Sequence, residues 1–305
     1  MSNKVSFQQK NIVSKVMENK MQIIQTIQEM QSIISQLKQE NKTIGFVPTM
    51  GYLHQAHLSL IRKSREENKV TILSIYVNPT QFNNPEDLEK YPRDFKQDQE
   101  LAEKENIDYI FYPNNTEMYP DGQKPIEYTN KFMKGLCAST RPGHFEGVVT
   151  IVSKLFNIIQ PTKTYFGQKD YQQSLVIKQM IKDLNYNIEF VMCPLIREPD
   201  GVAMSSRNAM LTKEQRNNAI VLFKSLLSAR ELIQNNETNP NAIKENIKNI
   251  INNIENTKID YIEIRNSDTL EEINQIDETN KNNGNIVIAL AVFFGKVRLI
   301  DNILN

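Results

Sequence analysis

The sequence contains little of several residue types, and each shortage excludes a class of protein. Only two cysteines, Cys137 and Cys193, occur in 305 residues, and their wide separation fits neither a disulfide framework nor a metal-binding pair. The 36 Lys and Arg residues balance the 36 Asp and Glu residues, so no excess positive charge exists to hold nucleic acid or an anionic membrane. No apolar run approaches the roughly 20 residues that cross a bilayer. We therefore expect a soluble, cytoplasmic protein whose partners are small molecules.

Histidine is also scarce, which makes its distribution informative. The chain has three histidines, and His54 and His57 are only three residues apart. They follow a strand-like run, residues 43–47, and a loop marked by Pro48 and Gly51, at the point where an apolar helical pattern begins. Both rings then lie on one face of the first helical turn, beside the unpaired N–H groups and the positive dipole end that favour phosphate. A lone histidine here would be read as a cap, but the pair predicts a site that acts on phosphoryl charge.

The chain on either side of this segment alternates strands with helices. Residues 70–77 form a nearly continuous apolar run, which is typical of a strand buried on both faces of a parallel sheet. A helical stripe over residues 21–40 precedes the histidines. Further strands are predicted over 107–112, 162–166 and 188–196, with helices over 94–106 and 148–159. This alternation predicts an α/β fold with a doubly wound, Rossmann-like parallel sheet.

The pattern changes near residue 212, after which two helical stretches are followed by strands without further alternation. We expect an N-terminal extension over residues 1–20, a Rossmann-like domain over 21–195 and a smaller C-terminal α+β domain over 196–305. The extension carries lysines but no arginine, which favours a plain extension over an organelle-targeting segment. The first strong helical stripe begins after it, so we expect the extension to contribute little to stability.

Polar side chains follow several of the predicted strands, at the edge where open α/β sheets bind their ligands. Asn78 and Gln81 come directly after the buried strand, and Lys169 and Asp170 follow a later one. Each pair also has a simpler interpretation, because Asn-Pro is a common turn former and Lys-Asp is commonly an exposed ion pair. Their shared position at one sheet edge favours a binding role.

A third polar group, Ser205 to Arg207, lies in the loop that follows the last strand of the alternating part. Two hydroxyls and one guanidinium suit a phosphate ligand. Such a tripeptide is common in surface loops, so its assignment to the site depends on its neighbours.

Taken together, these segments resemble the pantothenate synthetase (pantoate–β-alanine ligase) family. The Pro-Thr-Met-Gly loop and His-x-Gly-His signature of that family are similar to residues 48–57, and its Val-Asn-Pro-x-Gln-Phe motif is similar to residues 77–82. Further similar segments, in the same order, are residues 141–145, 167–173, 205–208 and 298–303. A His-x-Gly-His motif alone would indicate only the wider nucleotidyl-transferring superfamily.

The resemblance implies a two-step reaction. The carboxylate of pantoate attacks the α-phosphorus of Mg-ATP to give pantoyl adenylate and pyrophosphate, and the amine of β-alanine then displaces AMP to form pantothenate. Mg²⁺ is expected on the ATP phosphates, no organic prosthetic group is implied, and a homodimer is expected. Because the first nucleophile is already an anion, catalysis needs positioning and charge stabilisation rather than a general base. We expect the small domain to close over the site so that water is excluded from the adenylate.

The resemblance also assigns residues. The expected catalytic residues act on the phosphates: His54, His57, Lys169, Ser205, Ser206 and Arg207. The expected ATP site adds Pro48, Thr49, Met50, Gly51, Gly167, Asp170 and Met204. The expected substrate site comprises Met50, Asn78, Gln81, Arg141, Phe166 and Gln173, with the two glutamines on the polar groups of pantoate and Met50 and Phe166 against its methyl groups.

One residue departs from the family pattern. Ala56 stands where the His-x-Gly-His motif has Gly, so a methyl group lies where the helix start approaches the nucleotide. Alanine adds only one methyl group to the glycine of the motif, and we expect it to modulate ATP binding. Two alternatives remain at this stage: a related enzyme that adenylates another acid, and a nucleotide-binding module without catalysis.

Overall fold

The computed structural model describes residues 21–122, 124–282 and 284–305. The predicted extension, residues 1–20, lies outside the described residues, so the expectation that it contributes little stays a prediction. Within the described ranges, no helix is both long enough and apolar enough to cross a membrane.

The large sheet has six parallel strands in the order β1-β4-β3-β2-β5-β6. Its strands are β1 Gln22–Ile24, β2 Ile44–Thr49, β3 Val70–Ile75, β4 Tyr109–Phe111, β5 Lys163–Gly167 and β6 Glu189–Cys193. The helices of this part are α1 Ile27–Gln39, α2 Gln55–Glu67, α3 Pro85–Lys90, α4 Phe95–Lys104, α5 Asn115–Met118, α6 Leu136–Thr140, α7 His144–Ile159 and α8 Tyr171–Asp183.

Helices cover both faces of the large sheet. Phe46 of β2 packs into a cluster with residues of α1, α7 and α8, whereas its neighbour Val47 packs into another cluster with residues of α2 and α4. Successive side chains of a strand point to opposite faces, so these two clusters are the two cores of a doubly wound sheet. Every residue of β3 is buried, as its continuous apolar run predicts. The predicted α/β fold is therefore confirmed.

The C-terminal part is a small antiparallel sheet covered by helices, in the order β7-β8-β9. Its strands are β7 Thr257–Asn266, β8 Ile286–Phe294 and β9 Val297–Leu304, and its helices are α9 Lys213–Asn218, α10 Ile220–Gln234, α11 Pro240–Asn252 and α12 Glu278–Asn282. Ile243, Ile247 and Ile251 of α11 are fully buried, as apolar residues at four-residue spacing on a helix should be. The predicted smaller α+β part is present.

Three predictions of helix bounds are wrong. Residues 21–40 are not one helix, because Gln22–Ile24 form an edge strand and Thr26 caps α1 with its hydroxyl 3.2 Å from the N of Glu29. A three-residue strand is too short for its period to appear in the sequence. The helix predicted from Val148 begins at His144, after Gly143 in the left-handed conformation. The stretch 212–234 is two helices, which meet at Ala219.

The strand before the histidines also continues further than predicted. Pro48 does not end β2, which pairs with β3 as far as Thr49. The pairing of β2 with β5 covers only Gly45 and Phe46, so the N–H that Pro48 lacks has no ladder partner on that side. β2 therefore extends to Thr49, at the carboxyl edge of the sheet, before the chain turns toward the histidines.

Candidate active site

The histidine turn, residues 49–57, joins β2 to α2 and is held by a carboxylate from another helix. Asp98 of α4 accepts hydrogen bonds from the backbone N–H groups of Tyr52 at 2.8 Å and Leu53 at 2.6 Å. Gly51 and Tyr52 are both left-handed, with φ of 81° and 51°. A Cβ on Gly51 would lie 2.8 Å from an Asp98 carboxylate oxygen, which explains the glycine. This carboxylate therefore fixes a turn that most residues would disfavour.

His54 and His57 stand together at the start of α2, as their spacing predicts. His54 is the residue that precedes the helix, and the two rings lie 4.1 Å apart between centroids at an angle of 34°. The backbone N–H of His54 donates to Nδ1 of His57 at 3.3 Å. A neutral His57 must then carry its proton on Nε2, so that the outer nitrogen of the ring is a donor.

Both histidines are uncharged at neutral pH. Burial lowers the pKa of His54 to about 4, and the neighbouring Lys169 acts in the same direction. The pKa of His57 is held well below its usual value by burial, by His54 and by Lys169. The His57 ring therefore offers an N–H group to a ligand without a positive charge, and the charge of the site has to come from other residues.

The lysine turn, residues 167–170, supplies part of that charge. β5 ends at Gly167, and a single 3₁₀ turn, Gln168–Asp170, leads into α8. Nζ of Lys169 lies 2.9 Å from Oδ2 of Asp170, so the ordinary ion pair considered at the sequence level does form. The position of this ion pair is unusual, because the charge of Lys169 lowers the pKa of both histidine rings.

The Ser205–Arg207 loop closes the site from the side of the C-terminal part. Ser206 donates to the backbone oxygen of Tyr52 in the histidine turn at 3.2 Å. Arg207 pairs with Asp87 of α3 at 2.8 Å and lies 5.7 Å above the ring of Tyr91. Arg207 is therefore already bound to a carboxylate, and a phosphate would have to compete for it.

The amide of Gln81 is placed by a buried network. The Asn78 side chain donates to Gln81 Oε1 at 3.1 Å and to the backbone oxygen of Gly147 at 3.0 Å. Its oxygen accepts from Tyr119 at 2.7 Å. Asn78 is only 1% exposed and its polar atoms have protein partners, so it holds the Gln81 side chain in place.

Arg141 and His144 support the same loop from the start of α7. Nδ1 of His144 lies 2.9 Å from the backbone oxygen of Gln81, and Nε2 lies 3.3 Å from a nitrogen of Arg141. A carbonyl accepts and a guanidinium donates, so His144 carries its proton on Nδ1. Burial lowers the pKa of His144 to about 3, with Arg141 acting in the same direction. The sequence alone predicts no site role for His144.

A cavity of about 210 Å³ brings the predicted residues together. Among the predicted site residues, those that line it are Pro48, Thr49, Met50, His54, His57, Asn78, Gln81, Arg141, Phe166, Gly167, Lys169, Asp170, Gln173, Met204, Ser205, Ser206 and Arg207. Gly51 is the exception, since it is buried beneath the turn. Ala56 also lines the cavity.

A larger cavity of about 820 Å³ adjoins the first and extends to the small sheet. The two cavities share Lys169, Asp170, Gln173 and Arg207, while Asp260, Tyr261 and Arg298 enter only the larger one. Ligand sites commonly have volumes of about 300–1,000 Å³, so the smaller cavity is small for a ligand site and the larger one lies within this range.

Two features of the site were not predicted from the sequence. Asp98 is 45 residues beyond Leu53 and belongs to a charged helix that carries no motif. Tyr91 is buried under Arg207 and lines the smaller cavity, and burial raises the pKa of its hydroxyl. Tyr91 follows a short helix without a recognisable pattern, so no sequence signal distinguishes it.

The described residues do not form a metal site of their own. Within the described ranges, no group of three His, Cys, Asp or Glu side chains is arranged to hold a metal ion. The cavity carboxylates Asp170 and Asp87 are paired with Lys169 and Arg207.

Known proteins are similar to this chain over nearly its whole length. The sequence profile of the family described as Pantoate-beta-alanine ligase matches residues 22–304. The pantothenate synthetase of Caldicellulosiruptor bescii is 53% identical over 283 residues, which cover 93% of this chain and 98% of that protein.

Solved structures agree with the sequence matches. A pantothenate synthetase from Thermus thermophilus superposes with a TM-score of 0.85 at 35% identity, covering 92% of this chain and 98% of that one. A pantoate-beta-alanine ligase from Francisella tularensis, described as complexed with beta-gamma ATP and beta-alanine, gives a TM-score of 0.75 at 37% identity, covering 93% and 97%. The chain therefore belongs to the pantoate–β-alanine ligase family.

Proposed function

We propose that this chain condenses pantoate with β-alanine to form pantothenate, using ATP and passing through pantoyl adenylate, with release of AMP and pyrophosphate. The observation that carries the proposal is the single cavity in which two neutral imidazoles, Lys169 and the Ser205–Arg207 loop face the amide of Gln81. One side of this cavity suits phosphates, and the other suits a small polar acid.

In the first step the enzyme has to position two anions and stabilise the charge that develops on the α-phosphate. His54 and His57 donate N–H groups at the start of α2, where the backbone N–H groups and the helix dipole add to the effect. Lys169 supplies positive charge. Ser205 and Ser206 offer hydroxyls, and Arg207 exchanges Asp87 for phosphate when the nucleotide binds. Mg²⁺ enters on the ATP phosphates and neutralises part of their charge.

The pantoate subsite lies on the other side of the cavity. Gln81 and Gln173 bind its hydroxyl and carboxylate groups, and the side-chain amide of Gln173 makes no hydrogen bond within the described part of the chain. Met50, 3.2 Å from the Gln81 amide nitrogen, and Phe166, stacked on Phe190, provide apolar contacts for the methyl groups. Asn78 and Arg141 hold the Gln81 loop, and Asp170 contacts the nucleotide.

In the second step β-alanine enters through the larger cavity and its amine attacks the adenylate. The C-terminal part, residues 196–305 in our division of the chain, closes over the site and excludes water during this step. We further propose that the enzyme is a cytoplasmic homodimer, and a measurement of its mass in solution tests the dimer.

The decisive experiment measures AMP and pyrophosphate formation with ATP, pantoate and β-alanine, each omitted in turn. We expect pyrophosphate only when pantoate is present, and sustained AMP release only when β-alanine is added. Pyrophosphate release with phosphopantetheine or nicotinamide mononucleotide in place of pantoate would support a different adenylating enzyme. ATP binding with no pantoate-dependent turnover would indicate a nucleotide-binding module.

Gln81→Ala tests the acid subsite. We expect the KM for pantoate to rise far more than that for ATP, because an amide that serves one substrate contributes binding in that pocket alone. Gln179→Ala, on the exposed side of α8, is the control, since this glutamine bonds only to Asp183. Equal losses for both substrates would contradict the assignment.

A further inference from the structure

The segment Arg298–Ile303 matches the family pattern, yet nothing in the proposed reaction uses it. It lies in β9, and its residue Asn302 is 3% exposed. The amide nitrogen of Asn302 donates to the backbone oxygen of Lys169 at 2.9 Å and to that of Gln168 at 3.2 Å. Its oxygen accepts from the Gln168 side chain at 3.2 Å. One side chain of the small sheet thus holds the main chain of the lysine turn.

The preceding residue, Asp301, holds a second segment of the site. Its carboxylate accepts two hydrogen bonds from Arg197, at 2.6 and 2.9 Å, and is 1% exposed. Arg197 stands at the start of the segment that leads to the Ser205–Arg207 loop, and it also donates to the backbone oxygen of Gly201 at 3.0 Å. Two adjacent residues of β9 therefore bind the segment that carries Lys169 and the segment that leads to Arg207.

The amide nitrogen of Asn302 bonds to backbone oxygens, so these hydrogen bonds fix the main chain of the lysine turn. A contact to a flexible side-chain end can shift without moving its Cα, whereas bonds to the carbonyls of residues 168 and 169 fix the peptides on either side of the Lys169 Cα. The turn has only three residues between β5 and α8 and cannot absorb a displacement over a long loop. A displacement of β9 would therefore displace Lys169 as well.

We propose that Asn302 is a positioning residue for adenylate formation, which acts by fixing Lys169 at the distance and angle that the ATP phosphates require. This inference rests on the proposed function, since it assumes that Lys169 acts on phosphate. It makes the small sheet part of the phosphate site as well as a cover for it. A positional error of about 1 Å in a catalytic group can lower a rate about 100-fold.

The test measures pyrophosphate release from ATP with pantoate and no β-alanine, in a single turnover. Asn302→Ala should lower the rate constant about tenfold, with a smaller change in the ATP concentration for half-maximal rate. Asn302→Asp keeps the volume and the acceptor for Gln168 but loses both donors, and it should show a similar loss. Asn246→Ala is the matched control, because this amide bonds to Ser228 within the small domain and should leave the rate unchanged.

A double-mutant comparison separates positioning from general stabilisation. Lys169→Ala alone should lower the rate by about 10² or more. If Asn302 acts through this lysine, adding Asn302→Ala to Lys169→Ala should cause no further loss. The inference is overturned if Asn302→Ala lowers the melting temperature with the rate unchanged, or if its loss is the same in both backgrounds. A wild-type protein without pantoate-dependent pyrophosphate release would instead overturn the proposed function, and this inference with it.

Discussion

The histidine turn and the lysine turn face the same cavity, yet they are built in opposite ways. The histidine turn presents uncharged rings, and its backbone is fixed by Asp98 within the large domain. The lysine turn presents a cation, and its backbone is fixed by Asn302 from the small sheet. The main support of the histidine turn therefore comes from a helix beside the large sheet, and that of the lysine turn comes from the small sheet.

This difference has a physical reason. A neutral N–H group acts only over a short distance and a narrow angle, so it needs a rigid support close by. A charge acts over a longer distance, and a support from a separate sheet is sufficient to place it. We therefore expect changes in the histidine turn to reduce turnover.

The largest effect should follow from removing a neutral donor. We expect His57→Ala to lower turnover about 10²- to 10³-fold, the loss typical of one preorganised donor in a developing-charge site. The protein should stay folded, because His57 stands at the junction of turn and helix. Gln55→Ala, an exposed change in the same helical turn, serves as control. A near-normal rate for His57→Ala would remove this residue from the mechanism.

A smaller effect should follow from removing the support of the turn. Asp98→Ala leaves the N–H groups of Tyr52 and Leu53 without their acceptor, which should lower the free energy of unfolding by about 2 kcal/mol. ATP binding should weaken about tenfold, because the left-handed turn loses its fixed conformation. Denaturant unfolding and ATP titration measure the two losses. Asp94→Ala, which removes only a helix cap, should reduce stability without weakening ATP binding.

The uncharged state of the histidines can be tested with pH. The rate of adenylate formation should be flat between about pH 6 and 8, since both rings are already neutral there. A rate that rises as pH falls through about 6.5 would mean that charged histidines act on the phosphates.

Stability should respond to pH although the rate does not. The folded pKa of His54 is about 4 and that of His144 about 3, both below the usual value of 6.5. Below pH 6.5 the unfolded chain therefore binds protons that the folded chain does not bind. The contribution of these histidines to the free energy of unfolding is complete above pH 6.5 and is lost progressively as the pH falls below it. The melting temperature should fall from about pH 7 to about pH 5, and His54→Gln should reduce the fall.

The smallest effect concerns Ala56, which lines the cavity beside the histidines. Ala56→Gly should tighten ATP binding several-fold, because overpacking by one methyl group costs on the order of 1 kcal/mol. The empty protein should be slightly less stable, by about 0.5 kcal/mol, since Gly disfavours a helix. Melting temperature and ATP affinity measure both effects. Unchanged affinity would show that the pocket is already adjusted to the methyl group.

The features that the sequence predicts well are those set by neighbouring residues along the chain. The buried run of β3, the strand and helix around the histidines, and the face shared by His54 and His57 all follow from periodicity and spacing. The shared cavity follows from the rule that parallel strands end at one edge. The edge strand at Ile23 and the early start of α7 at His144 were missed, because they depend on pairing and on a left-handed residue rather than on apolar period.

The contacts that support the site could not be predicted. Asn302 meets Lys169 across 133 residues, and Asp98 meets Leu53 across 45. An asparagine in a strand and an aspartate on a charged helix have many exposed counterparts in any chain, so their residue type carries no signal. Only the packed structure shows that these two side chains bind backbone groups of the two turns that line the cavity.

The bonds between Asn302 and residues 168 and 169 also bear on chimeric proteins. A chimera that joins residues 21–195 of this chain to a foreign C-terminal part keeps Lys169 but receives a new side chain at the place of Asn302. The lysine turn would keep its hydrogen bonds only if the incoming strand presents an asparagine amide there, opposite the Gln168 side chain.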